Sequence, residues 1–164
     1  MKELVMEDLE IKFNYPENWD AVNNKDVFVD ILGMSEAQAV NTDLVLIRNG
    51  NNQNEIAFVN FHSNEDIYKT EPEYQKALDE IFKNIQETFE EFTPQAPTKT
   101  KNNIRLDRVT AKVIPTMQTS VVQNYLYASN RLILIIATIT AENDDLDKSI
   151  NEIIQSITSI TNTK

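Results

Sequence analysis

The chain has 164 residues, 41% of them hydrophobic and 25% charged, which suits one domain with its own core and excludes a disordered chain. A formal charge of -11 spreads a negative field over the surface and opposes nucleic-acid phosphates and anionic membranes. The absence of cysteine removes disulfide frameworks, thiolate metal sites and cysteine nucleophiles together.

Met1 to Asp8 offers no cationic start followed by an apolar run, so no secretion signal is read there. The chain as given therefore reads as cytoplasmic; a signal or lipid anchor removed ahead of Met1 would place it outside the cytoplasm instead. Leu9, Ile11, Phe13 and Tyr15 then alternate with Glu10, Lys12 and Asn14, the period-two pattern of a strand with one wet face. Pro16 ends that ladder, and Trp19, the only tryptophan, follows the turn. Val27, Phe28, Ile31, Leu32 and Met34 have helical spacing, with a strand as the alternative because of their β-branched content. Gly33 marks a kink, after which Ser35 to Ala39 starts a second short helical turn.

Leu44–Ile47 and Ile56–Phe61 are strand-like runs around Asn49-Gly50-Asn51-Asn52, whose Asn-Gly step predicts an antiparallel hairpin. Pro72 opens a long helix with one apolar stripe, Tyr74, Leu78, Ile81, Phe82, Ile85, Phe89 and Phe92. Thr93 to Lys101 is polar and proline-bearing and reads as a surface connection. Ile104–Ile114, Val121–Ala128 and Leu132–Thr140 supply further strands, the last two joined by a tight turn at Ser129-Asn130. The unbroken run Leu132 to Ala137 predicts a central strand covered on both faces and is too short to span a bilayer. Asn143 or Asp144 caps a closing helix with Leu146, Ile150, Ile153, Ile154, Ile157 and Ile160 on one side. Strands joined by short turns demand antiparallel pairing, and two single-striped helices must each lie on the sheet. The expected fold is α+β: one domain over residues 1–164, an antiparallel β-sheet flanked by helices as an α/β/α sandwich.

Three segments carry a resemblance to a known superfamily. Tyr15-Pro16-Glu17-Asn18-Trp19 resembles the aromatic-Pro-x-x-Trp opening of the PsbP-like fold, which also takes in the Mog-type Ran-binding proteins and bacterial accessory families. Asn124 to Thr138 resembles its paired late strands with a short turn, and Ile153-Ile154-Gln155-Ser156-Ile157 its closing-helix ending. The resemblance implies a non-catalytic accessory or binding module and brings no catalytic set to carry over.

The chemistry-bearing residues agree with a module of that kind. His62 is the only histidine and cannot supply a metal cluster, so it reads as structural or merely exposed. No Gly-x-Ser-x-Gly elbow or glycine-rich phosphate loop is present, so neither a hydrolase nor a nucleotide site is expected. The acids of Asn143-Asp144-Asp145-Leu146-Asp147 lack the turn glycine and closing Glu of a calcium loop and read as helix capping. No cofactor or metal is expected.

Glu71, Glu73, Asp79, Glu80, Glu87, Glu90 and Glu91 crowd the long helix against only Lys76 and Lys83, which is either a solvated face or a docking surface for a basic protein. Trp19 is either a plug at the core edge or an anchor. Glu80, Glu87, Glu90, Glu91 and Trp19 are accordingly the candidate interaction surface. Protein binding is the expected role. A carrier or chaperone with an apolar groove for a small ligand or hydrophobic peptide is the alternative, and the oligomeric state stays open.

Overall fold

A computed structural model describes residues 1–48, 57–64, 66–87, 91–112, 119–140 and 144–160. Lys2–Met6 (β1) pairs antiparallel with Ile11–Tyr15 (β2), with a 3-10 turn at Glu7–Leu9 between them. Leu9 thus lies in that turn, and Met1 to Asp8, read only for a signal, supplies an unforeseen edge strand. Pro16 then moves the chain from one sheet to another. The Trp19 amide donates to the Pro16 carbonyl at 3.0 Å, and Trp19–Val22 (β3) joins a different sheet.

Lys25–Asp30 (α1) is capped by Asn24, whose side chain accepts the Asp26 amide. Gly33 takes φ +74, a left-handed turn that suits glycine, and leads into Glu36–Asn41 (α2). Ser35 and Gln38 close a capping box on α2, and the Lys25 ammonium donates to the Ala39 and Val40 carbonyls at its other end. Both helical expectations hold here because caps at Asn24 and Ser35 fix the starts and Gly33 the break.

Thr42–Arg48 (β4) and Ala57–Ser63 (β5) pair antiparallel, as the hairpin reading requires; its Asn49–Asn52 turn lies outside the described residues. Glu71–Ile85 (α3) follows, with Thr70 as its cap and Pro72 in its first turn. The spacing predicts an apolar stripe that runs on to Phe92, but α3 ends at Ile85, Phe89 lies outside the described residues, and Phe92 belongs to Glu91–Pro94 (β6). Its ring still meets Phe82 edge-on at 5.5 Å, so the contact survives without the helix. Nor is Thr93 to Lys101 a plain connection. β6 and Thr98–Lys99 (β7) both pair with Arg105–Lys112 (β8), and Pro94 is tolerated because this is the sheet edge.

Thr119–Ala128 (β9) and Arg131–Thr140 (β10) form the longest hairpin, turning on Ser129 and Asn130 at φ 52 and 61. Two left-handed residues in succession match the right-handed twist of the strands they join. Asp144–Ser156 (α4) and Thr158–Ser159 (β11) are the last elements among the described residues, with Ile160 beyond the helix; Asn143 and the Asp144–Asp147 side chains lie outside the described residues.

The large sheet runs β3-β4-β5-β10-β9-β8-β6 with β7 also on β8, and the small one β1-β2-β11. All these pairings are antiparallel. Alternation along β10 divides the core between two faces. Ile133, Ile135 and Ala137 face one side, where Ile150, Ile153 and Ile154 of α4 and Ile11 and Phe13 of β2 complete the main cluster. One cover of the α/β/α sandwich is therefore α4 together with the small sheet. On the other side, α3 packs Tyr74 and Leu78 on Val109, Tyr125 and Leu132, while Phe28 and Ala39 of α1 and α2 pack on Val45.

Candidate functional site

Among the described residues, three hollows bear on the search for a site. The largest of these three, about 690 Å³, lies at the sheet end where Arg105, Asn102, Tyr127 and Ser129 gather. These four side chains already have partners within the fold. Arg105 Nε donates to Asp107 at 2.9 Å, Nη1 to Glu71 at 3.4 Å and Nη2 to Gln75, and the guanidinium lies 5.3 Å from the Tyr74 ring centre. Asn102 Nδ2 donates to the Gln155 and Ile157 carbonyls, and Ser129 Oγ to the Glu10 carbonyl at 2.6 Å. These are clasps that hold α3, α4 and the turn of β9 and β10 to the sheet. A second hollow of about 400 Å³ sits between β1 and β3, lined by Leu4, Leu9 and Ala21 with Glu7, Asp8 and Asp43.

The third hollow, about 440 Å³, has a different character. The helical cover leaves a strip of the large sheet open beside the α1–Gly33–α2 segment, with Phe58, Asn60 and His62 of β5 and Ile136 of β10 as floor and Leu32 and Met34 as wall. Residues two apart in a strand share a face, so Phe58, Asn60 and His62 form one row, while Val59 and Phe61 point into the main core. Phe58 is 41% exposed whereas Phe13, Phe28 and Phe61 are at most 1% exposed, so its ring is surface where the others are core. Ile31, which precedes the wall residue Leu32 in the chain, is 74% exposed.

The polar floor is unevenly satisfied. Asn60 Oδ1 is buried without a hydrogen-bond partner. His62 Nδ1 lies 3.0 Å from the Asn41 carbonyl, which fixes the proton on Nδ1 and leaves Nε2 as an acceptor. Burial holds the His62 pKa below 6.5; the Asn41 carbonyl and the Asp43 charge oppose this without overcoming it. The ring is thus neutral at pH 7. Thr42 Oγ1, 3.4 Å from the same nitrogen, donates to the Gln38 carbonyl at 2.7 Å and is 1% exposed, so it is no nucleophile open to a substrate.

The described members of the candidate interaction surface lie on separate elements. Glu80 is exposed on α3, Glu87 is exposed past its end, Glu91 is exposed on edge strand β6, and Glu90 lies outside the described residues. Trp19 has to be withdrawn from that surface. It is 2% exposed in the main cluster, placed there by the Pro16 turn, and acts as the core plug of its two readings. Sequence reading missed the row at Phe58, Asn60 and His62, although Asn60 amid Ile56–Phe61 was a sign that one face of that strand is not core.

Comparison with known proteins bears on the fold. No family model and no curated protein sequence matches the chain. Among solved structures, cyanobacterial PsbP (CyanoP) from Synechocystis sp. PCC 6803 superposes with TM-score 0.58 at 12% identity, over 96% of this chain and 91% of that one. The Saccharomyces cerevisiae Ran-binding protein Mog1p gives 0.52 at 5% identity, over 97% and 95%. LpqN of Mycobacterium tuberculosis, involved in cell envelope biogenesis, gives 0.54 at 10% identity, over 90% and 82%. With an antiparallel sheet under helices, and superpositions that span at least 90% of the chain, this protein has the PsbP/Mog1-like fold.

Proposed function

We propose that this chain is a non-catalytic interaction module that holds a basic partner protein. The observation that carries this reading is the open strip of sheet, where the Phe58 ring stands exposed beside a cleft while the rest of the β5 and β10 floor is half-buried, and Ile31, which precedes the wall residue Leu32 in the chain, is exposed as well. Apolar surface gathered around a concavity and rimmed by polar groups is characteristic of a site that a partner covers. A charge of -11 and the exposed acids Asp79, Glu80 and Glu87 favour a partner of opposite sign, chiefly by speeding its approach. Two proteins of this fold support the general role: Mog1p is described as Ran-binding and LpqN as involved in cell envelope biogenesis. Among the described residues no helix is long and apolar enough to cross a membrane. Cell fractionation distinguishes the cytoplasmic setting from an envelope one. The role itself is tested by cross-linking in the native cell followed by purification at low salt: a stoichiometric basic protein partner is expected, and recovery of background alone would contradict the reading.

The second reading, a carrier for a small apolar ligand or hydrophobic peptide, draws on the same cleft of about 440 Å³. Asn60 and His62 in its floor weigh against a wholly apolar cargo, because such a cargo would leave their polar atoms buried without partners. Displacement of a bound solvatochromic dye by fatty acids, with no displacement by basic peptides, would favour the carrier.

A further inference from the structure

Resting on the reading of the chain as a binder of a basic partner, we infer that the Phe58–Asn60–His62 row is a slot for an arginine side chain of that partner. Three features of the row ask for the same group. Phe58 offers an aromatic face that is 41% exposed, on which a planar cation stacks. Asn60 Oδ1 has no donor. Its terminal torsion is broad and soft, so a small rotation turns that oxygen toward an incoming N–H. His62, with its Nδ1 proton committed to the Asn41 carbonyl, keeps Nε2 as an acceptor.

Neighbouring row positions are about 6.6 Å apart along a strand, a span that a guanidinium bridges because its donors diverge in a rigid fork. A lysine ammonium is a single point and cannot reach both acceptors. Charge points the same way. Among the described residues no lysine or arginine lines the cleft, and Lys25, on the adjoining helix, is held by the Ala39 and Val40 carbonyls. A cation entering there is drawn by a protein of charge -11. Ile136, Leu32 and Met34 provide the apolar surface on which the arginine's methylene stem would lie.

The probe is an end-capped pentapeptide with one arginine between leucines, set against the same peptide carrying citrulline, lysine or leucine in its place. Binding is followed by titration of the ¹⁵N and ¹³C spectra of the full chain, where the only histidine gives one ring signal. The arginine peptide is expected to bind at least about ten-fold tighter than the citrulline peptide and to move the Asn60 side-chain amide and the His62 ring. Phe58→Leu and Asn60→Ala should each weaken it several-fold while the circular dichroism stays that of the folded protein. Should Phe58→Leu fail to fold, Asn60→Ala and the shifts in the unaltered chain carry the test.

Equal binding of the lysine, citrulline or leucine peptide would overturn the slot, as would no binding of any peptide. Arginine-dependent shifts confined to the Glu80 and Glu87 amides would also overturn it, yet leave the proposal of a basic partner standing.

Discussion

Ser156 Oγ accepts the Asn14 amide at 2.8 Å across 142 residues of chain and donates to the Ile153 carbonyl at 2.7 Å. The end of α4 is thereby fixed to β2, an interior polar link between the last helix and the second strand. The small polar residue among aliphatics at 153–157 is thus a fastening between layers. Ser156→Ala would leave the Asn14 N–H without its acceptor in a part-buried place. A loss of about 1–2 kcal/mol is expected, read as a lower urea midpoint with unchanged slope.

Arg105 and Asp107 form a second fastening, both under 10% exposed, with Glu71 and Gln75 of α3 completing it. Arg105→Met would strand a buried carboxylate, at a cost of about 3 kcal/mol. The double change Arg105→Met with Asp107→Leu should recover most of that loss, because the penalty belongs to the unpaired charge. A double-mutant cycle in denaturant measures the coupling.

Tyr74 is fully buried, with a hydroxyl lacking any hydrogen-bond partner. Tyr74→Phe is therefore expected to leave stability unchanged or raise it by up to about 1 kcal/mol, whereas Tyr74→Ala should cost about 3–5 kcal/mol through the cavity it leaves. Burial also pushes the Tyr74 and Tyr125 phenols well up, so neither ionises in the folded state near pH 10. Since the folded pKa is the higher one, this stability is complete below pH 10 and declines above it, where the unfolded chain ionises first. Alkaline titration at the tyrosinate absorbance should show these two of the 5 tyrosines ionising only as the protein unfolds.

The His62 pKa is held below 6.5, chiefly by burial. Between the folded and unfolded pKa values the unfolded chain binds the extra proton. This contribution to stability is therefore whole above pH 6.5 and is lost as the pH falls through the folded pKa. The ring ¹³C signal should titrate below 6.5, and His62→Gln should flatten that part of the acid limb of the stability curve.

How far the sequence led depends on what each segment's residues can express alone. The strand of Ile11, Phe13 and Tyr15, the helix starts at Ser35 and Pro72 and the paired strands around Ser129-Asn130 follow from local periodicity and local hydrogen bonds. Met1 to Asp8 did not announce β1, because an edge strand against a small sheet is mostly exposed and shows little alternation. Phe92 continued the helical spacing of α3 but lies on a strand; period alone cannot tell one helix from a helix followed by a strand that brings a ring back to the same cluster. The cleft was the least legible feature. It arises from where α1 and α2 stop covering β5, a tertiary fact, and only Asn60 among apolar neighbours marked it in the chain.

The most direct measurement replaces Phe58 with a photoreactive benzoylphenylalanine and irradiates the native cell, with the same residue at Glu3 of β1 as the control. A discrete adduct with one basic protein, formed from position 58 and missing from position 3, is the result this account predicts. Adduct patterns identical at the two positions, or none at 58, would contradict the claim that the open strip of sheet is where this protein holds its partner.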